Sequence, residues 1–146
     1  MKKIIVSLLL LITVGATTVS AAPVTPDPQI EKIFQKEFAG AEHVKWDKAS
    51  GYFSASFVLA GRRTQAWFSA EGELLGTVRG VLYNQLPLVV IRSLQQRFSD
   101  AILYDISEVV NTDGTKYKFT IESKAKKYKV SITPDGNIEE AQRIKK

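Results

Sequence analysis

Side chains that could support catalysis are scarce in this sequence. The chain has one histidine, His43, and no cysteine, which excludes thiol catalysis, zinc–cysteine sites and metal sites that need two histidines. A serine-type triad would have to use His43, but no nucleophile-elbow motif lies near it. Glu71 and Glu73 could act as paired carboxylates, yet they flank a glycine, where acidic residues usually shape a turn. We therefore predict no catalytic residue, no metal site, no cofactor and no enzymatic activity.

A binding surface is the better-supported kind of site. The stretch TQAWFS alternates between polar and apolar residues, so Trp67 falls on the face opposite Ala66 and Phe68. An exposed tryptophan suits an interface anchor, although it could instead pack under a loop or against another part of the chain. The same alternation brings other aromatic and hydrogen-bonding residues to that face. We predict a patch that binds a protein or peptide partner, formed by Trp67, Tyr52, Arg63 and Gln65.

Basic residues at two hairpin tips are an alternative binding surface. They are Arg62, Lys126 and Lys127. Lysine and arginine at such turns are mostly solvated and protect exposed strand edges from unwanted pairing. We therefore rank these tips behind the patch around Trp67.

The N-terminal residues have the composition of a secretory signal. Two lysines precede an almost wholly apolar run over residues 4–16, and small residues follow it. We predict a signal peptide over residues 1–22, cleaved after Ala21 or Ala22, and a proline-rich linker over residues 23–28. An uncleaved membrane anchor is the alternative, but the apolar run is shorter than the roughly 20 residues that cross a bilayer. We expect a periplasmic or secreted protein without membrane contact after cleavage.

Charge and composition narrow the partner and the source of stability. The formal net charge is +5, and two of these charges come from Lys2 and Lys3 in the predicted signal peptide. So small a basic excess in an exported protein predicts no nucleic-acid partner. Without cysteine the fold has no disulfides, so its stability must come from a packed core. The 45% content of hydrophobic residues allows such a core.

A repeated pattern predicts the fold. The spacing that separates Gly72 from Gly136 also carries Phe68 onto Ile132 and matches other apolar strand positions. Two unrelated amphipathic hairpins could match in this way by chance, because strand alternation has a period of only two residues. We predict an α+β fold of two tandem units over residues 29–82 and 83–146. Each unit is one helix followed by antiparallel strands, and the helices pack on one face of an antiparallel sheet.

The residues predicted to face inward leave little room for a ligand. They are large and apolar except for Ala55 and Ala66. A pocket between helices and sheet, as an enzyme or a small-molecule carrier would need, requires polar groups that point inward. We keep such a pocket as the alternative function. The inward set is Phe53, Phe57, Phe68, Phe119, Ile121 and Ile132, together with the two alanines.

Three stretches resemble a known family. They are IFQKEFAGAEHVKW at residues 33–46, YFSASFVLAGRRTQAWFSAEGELLG at residues 52–76 and LPLVVIRSLQQRF at residues 86–98. They resemble the PepSY-like, β-lactamase-inhibitor-like proteins of bacterial periplasms. The resemblance implies one PepSY-like domain overall, with a non-catalytic role in binding or inhibiting another protein.

Overall fold

The residues that the structure describes fold into one eight-stranded antiparallel sheet with two α-helices. The structure is a computed structural model that describes residues 24–124 and 126–144, so the predicted signal peptide lies outside the described residues. The strands lie in the sheet in the order of the sequence. The helices are α1 (Pro28–Glu37), a 3-10 helix (Tyr83–Gln85) and α2 (Leu88–Arg97). The strands are β1 (Glu42–Ala49), β2 (Tyr52–Leu59), β3 (Arg62–Ser69), β4 (Leu74–Gly80), β5 (Ile102–Asn111), β6 (Gly114–Ser123), β7 (Lys126–Ile132) and β8 (Ile138–Ile144).

The predicted fold of two tandem helix-plus-strand units is wrong. Strands account for 54% of the described residues and helices for 19%, so a single sheet dominates the architecture. Strands β4 and β5 pair directly, from Gly76 opposite Asn111 to Gly80 opposite Ser107. This pairing gives hydrogen-bond partners to the backbone groups along two strand edges, which separate units would leave exposed. A local alternation pattern carries no information about such a long-range junction, which is why the sequence predicted two separate units.

Both helices begin and end at recognisable signals. Asp27 caps α1 because its Oδ1 accepts a hydrogen bond from the Gln29 N–H at 2.9 Å, and Pro28 takes the first helical position. Upstream of the cap, Pro26 is buried and Val24 packs against the core. This part of the predicted linker over residues 23–28 therefore lies against the fold. Helix α2 begins directly after Pro87, and its C-cap is Phe98, whose N–H donates to the Leu94 carbonyl oxygen.

Two hydrophobic clusters fill the space between the helices and the sheet. All the residues predicted to face inward are buried, which confirms the strand alternation. The first cluster consists of Ile30, Phe34, Phe53, Ala55, Phe57, Ala66 and Phe68. The second cluster consists of Leu86, Val90, Leu94, Tyr117, Phe119, Ile121, Val130 and Ile132.

The strand register places both clusters on the same face of the sheet. Ala66 of the first cluster lies opposite Thr77 on β4. Two residues along β4, Arg79 lies opposite Glu108 on β5, and Glu108 lies opposite Tyr117 of the second cluster. Since residues opposite each other in an antiparallel pair share a face, both helices cover one face. We call the other, helix-free face the open face.

A polar network joins the two halves of the sheet on the helix side. Arg79 Nε lies 2.5 Å from Glu108 Oε2, and the Tyr117 hydroxyl donates to Glu108 Oε1 at 3.3 Å. The hydrogen bond to Glu108 raises the pKa of Arg79, and burial raises the pKa of Tyr117. Among the described residues no buried side-chain nitrogen or oxygen lacks a hydrogen-bond partner. The seam between β4 and β5 is therefore held by side chains as well as by backbone pairing.

Candidate functional site

The open face carries the residues that the sequence analysis selected. Strand alternation turns Trp67 away from the first cluster, opposite Ser54 on β2 and Gly76 on β4. Gln65 lies on the same face, opposite Ser56 and Val78. Trp67 and Gln65 are half-buried, and Arg63 and Tyr52 are exposed. The four predicted residues thus share one face and two adjacent strands.

An apolar concavity surrounds Trp67. Its volume is about 370 Å³. Tyr52 and Leu75 are 39% and 38% exposed, so both side chains are partly open to solvent. Apolar side chains held half-open around a tryptophan are typical of a binding surface and not of an ordinary sheet exterior. The full lining is Tyr52, Trp67, Leu75, Gly76, Thr77, Val78, Val109, Val110 and Asn111.

Two backbone features shape the apolar concavity. The pairing of β3 with β4 shifts between Trp67 and Phe68, so Leu75 is the extra residue of a β-bulge beside the tryptophan. Gly76 forms the floor next to it. A Cβ added at Gly76 would lie 2.8 Å from the Val110 carbonyl oxygen, so only glycine lets β4 and β5 approach this closely. The absent side chain also leaves open the space beside the indole.

A second depression, the Arg63 groove, adjoins the apolar concavity. Its volume is about 550 Å³, and Val78 lines both depressions. Arg63 is the only lysine or arginine in the lining, which contains no carboxylate. Among the described residues Arg63 belongs to no ion pair. The lining is His43, Ser56, Phe57, Val58, Arg63, Thr64, Gln65, Val78 and Gly80.

The predicted patch is therefore divided between two connected depressions. Tyr52 and Trp67 line the apolar concavity, whereas Arg63 and Gln65 line the Arg63 groove. Apolar area and directional hydrogen-bond donors lie side by side, as in the energetic centres of protein interfaces. The sequence analysis missed Leu75 and Val109, which face outward only because of the β-bulge and the β4–β5 pairing.

The basic hairpin tips are partly engaged within the fold. Arg62 Nη1 donates to the Gly80 carbonyl oxygen at 3.3 Å and to Gln85 Oε1. It therefore ties the β2–β3 hairpin to the segment that leads into α2. Lys127 lies 3.7 Å from a Glu122 carboxylate oxygen and 5.4 Å from the centre of the Tyr104 ring. Lys126, the third predicted tip residue, is exposed.

The residues considered for catalysis have structural surroundings. Ser69 Oγ accepts hydrogen bonds from the backbone N–H groups of Glu71 and Glu73, each at 3.2 Å, so these residues close the β3–β4 turn. His43 is exposed and has a φ of 54° at the bulge in β1. Within residues 24–124 and 126–144 no group of three or more potential ligands is placed to hold a metal ion. In that part of the chain no helix is both long and apolar enough to span a bilayer.

Solved structures of bacterial proteins share this fold. One, from Bacteroides eggerthii and assigned provisionally to the periplasm, has a TM-score of 0.74 and 20% identity, covering 83% of this chain and 91% of its own. A BLIP-like protein from Bacteroides fragilis has a TM-score of 0.73 and 22% identity, covering 83% and 88%. A DUF2874 family protein from Bacteroides uniformis has a TM-score of 0.73 and 18% identity, covering 82% and 90%.

These comparisons establish a likeness of fold. No protein-family model matches the sequence, and no curated protein matches it significantly. The β-lactamase-inhibitor-like part of the predicted resemblance is confirmed at the level of the fold by the BLIP-like structure. The PepSY-like part stays a prediction.

Proposed function

We propose that this chain is an exported, non-catalytic protein of the PepSY-like, β-lactamase-inhibitor-like kind that binds another protein through its open face. The observation that carries the proposal is the pair of connected depressions around Trp67 and Arg63. The first is apolar, the second contains Arg63 and no carboxylate, and Val78 lines both. A helix-free sheet face with half-open aromatic and aliphatic side chains exposes apolar area that a partner would cover.

The chemistry of the two depressions specifies the partner's side of the interface. The apolar concavity suits an aromatic or branched aliphatic side chain, since Trp67, Tyr52 and Leu75 offer apolar contacts. The Arg63 guanidinium in the adjoining groove suits a carboxylate, because arginine can bind one through two parallel hydrogen bonds. We therefore expect the partner to present a protruding apolar residue with an acidic residue beside it.

A packed interior argues against the alternative of an internal ligand pocket. Ala55 and Ala66, the two small inward residues that could have left a void, are both 0% exposed. They lie within the first cluster, where Phe34 packs edge-on against Phe57 with 5.0 Å between ring centres. Large rings thus occupy the space beside the small residues. A carrier or an enzyme with its site beneath α1, against Ala55 and Ala66, would need that space.

Export is supported by the sequence before the described residues and by the periplasmic description of a protein of the same fold. Intact-mass measurement on the protein from its producing cell should give a chain cleaved after Ala21 or Ala22. A full-length mass in the membrane fraction would contradict export in free form.

Site-specific photo-crosslinking tests the binding face. A photoreactive amino acid at Leu75 should form an adduct with a partner protein in the compartment where the chain resides. The same group at Gln96, exposed on α2 on the helix side, is the matched control and should form none. Trp67→Ala in the Leu75-labelled chain should abolish the adduct. Equal capture from both positions, or capture from Gln96 alone, would place the binding surface elsewhere.

A further inference from the structure

Strand β1 ends the sheet with one unpaired edge. Among the described strands it is first in the order and pairs only with β2. Lys45 and Asp47 project from it to the open face, opposite Ser56 and Ser54 on β2. Neither belongs to an ion pair among the described residues. On the open face, Lys45 and Asp47 therefore present one positive and one negative side chain, two residues apart, with no ion-pair partner among the described residues.

The backbone of β1 also has groups available for pairing. Ala49 and Tyr52 flank a two-residue turn in which Gly51 has a φ of 83°, and such a turn is closed by a hydrogen bond between its flanking residues. Hydrogen-bonded and non-hydrogen-bonded pairs then alternate along an antiparallel ladder. It follows that Asp47 and Lys45 bond to β2, whereas the N–H and C=O groups of Trp46 and Lys48 point to the free edge.

We propose that β1 pairs antiparallel with β1 of a second copy of this chain, about a two-fold axis that passes between the two Trp46 residues. In this register Lys45 lies directly opposite the partner's Asp47, and Asp47 lies opposite the partner's Lys45. These are non-hydrogen-bonded pairs, in which the Cα atoms come closest, at about 4.5 Å. The free backbone groups of Trp46 then bond with those of the partner's Trp46.

Charge selects this register over its neighbours. A shift by two residues in one direction places Lys45 opposite the partner's Lys45. The same shift in the other direction places Asp47 opposite the partner's Asp47. Like charges directly opposite each other are destabilising, and a shift by one residue would turn side chains to the wrong face. Only the register centred on Trp46 makes the strand complementary to itself.

The helix side of the edge can accommodate the second copy. A depression of about 470 Å³ lies between α1 and β1, and its lining includes Phe34, Phe38, Val44 and Trp46. Val44 is 39% exposed there. In the dimer, Trp46 of the second copy would lie beside this aromatic lining. The opposite edge, β8, is less suited because Glu139 is already paired with Lys116 at 2.9 Å and the strand shifts register at its start.

Charge exchange within one chain tests the pairing. Sedimentation equilibrium of the purified chain should show a concentration-dependent dimer. Lys45→Glu alone, or Asp47→Lys alone, should weaken the dimer about tenfold, because two attractive pairs become repulsive. The double variant Lys45→Glu/Asp47→Lys should restore it. Lys129→Glu, a reversal on the open face of β7 away from this edge, is the control and should leave the dimer unchanged.

Amide hydrogen exchange gives a second readout. Protection of the Trp46 and Lys48 N–H groups should rise with protein concentration, while that of Lys45 and Asp47 should stay constant. A chain that is monomeric at every concentration, or a double variant that fails to regain the dimer, would overturn the proposal. So would an edge that pairs only with an extended segment of another protein. None of these outcomes bears on binding at the apolar concavity, whose lining contains no residue of β1.

Discussion

Replacing Trp46 with alanine should destabilise the fold far more than replacing Trp67. The Trp46 ring packs edge-on against Phe34 with 5.2 Å between centres, and its centre lies 5.9 Å from that of Phe68. Truncating a packed aromatic residue leaves a cavity and removes favourable ring pairs. Because Trp46 is half-buried, we expect a loss of about 3 kcal/mol, the low end of the range for buried aromatic residues.

Trp67 has a different environment although it is also half-buried. Its cross-strand neighbours are Ser54 and Gly76, and no aromatic pair among the described residues includes it. Truncation enlarges a depression that is already open to water, so no closed cavity forms. We expect a loss of about 1 kcal/mol, as for other cross-strand contacts.

Urea unfolding followed by far-ultraviolet circular dichroism measures both variants by the same signal, since each substitution removes one of the two tryptophans and so alters the fluorescence. Equal slopes with different midpoints would show that stability alone has changed. If Trp67→Ala costs as much as Trp46→Ala, then Trp67 belongs to the core and the open face loses its proposed anchor. If Trp46→Ala costs almost nothing, the packing of β1 against α1 is wrong.

Three further predictions concern the core, the sheet junction and pH. Phe57→Ala and Ile121→Ala, one in each cluster, should each cost about 2 to 5 kcal/mol in denaturant melts; a negligible cost would show that the residue's strand register is wrong. Gly76→Ala should cost about 1 to 3 kcal/mol because the added methyl group would clash with a β5 carbonyl, whereas Gly80→Ala, with nothing within 4 Å, should be nearly neutral. Equal stabilities of the two variants in denaturant melts would contradict the close approach of β4 and β5. Burial raises the pKa of Tyr117 in the folded state. Its contribution to stability should therefore be complete at pH values below the unfolded-state pKa of about 10, and it should be lost as the pH rises through the folded-state pKa. Tyr117→Phe should flatten that fall, and an unchanged pH profile would contradict it.

The sequence was sufficient for the local structure because the relevant periodicities are local. Alternation in β2 and β3 predicted that Ala66 and Phe68 point inward and Trp67 outward, and the structure places them so. The two helices show the same kind of local pattern. Buried apolar residues recur one helical turn apart, ending at Phe34 in α1 and at Leu94 in α2. These patterns predict which face of the sheet a residue occupies when its strand forms.

Features that depend on partners distant in sequence were missed. The β4–β5 junction joins segments separated by a helix, so alternation could not show that one sheet results. Leu75 reaches the apolar concavity through a β-bulge, which shifts the alternation by one residue. Trp46 lies in a strand whose other residues are all exposed, so its packing against α1 gave no apolar pattern to read. Arg62 was taken for a solvated tip, although it binds the segment before α2.

Chemical-shift mapping would show directly whether the partner binds to the open face. The isotope-labelled chain would be titrated with the partner captured by crosslinking, and backbone and indole N–H signals would be followed. The account predicts that the largest changes fall on Tyr52, Gln65, Trp67 including its indole N–H, Leu75 and Val109, with signals from α2 unmoved. Changes concentrated on α2 or on the β1 edge, with the Trp67 indole signal unmoved, would contradict binding through the open face.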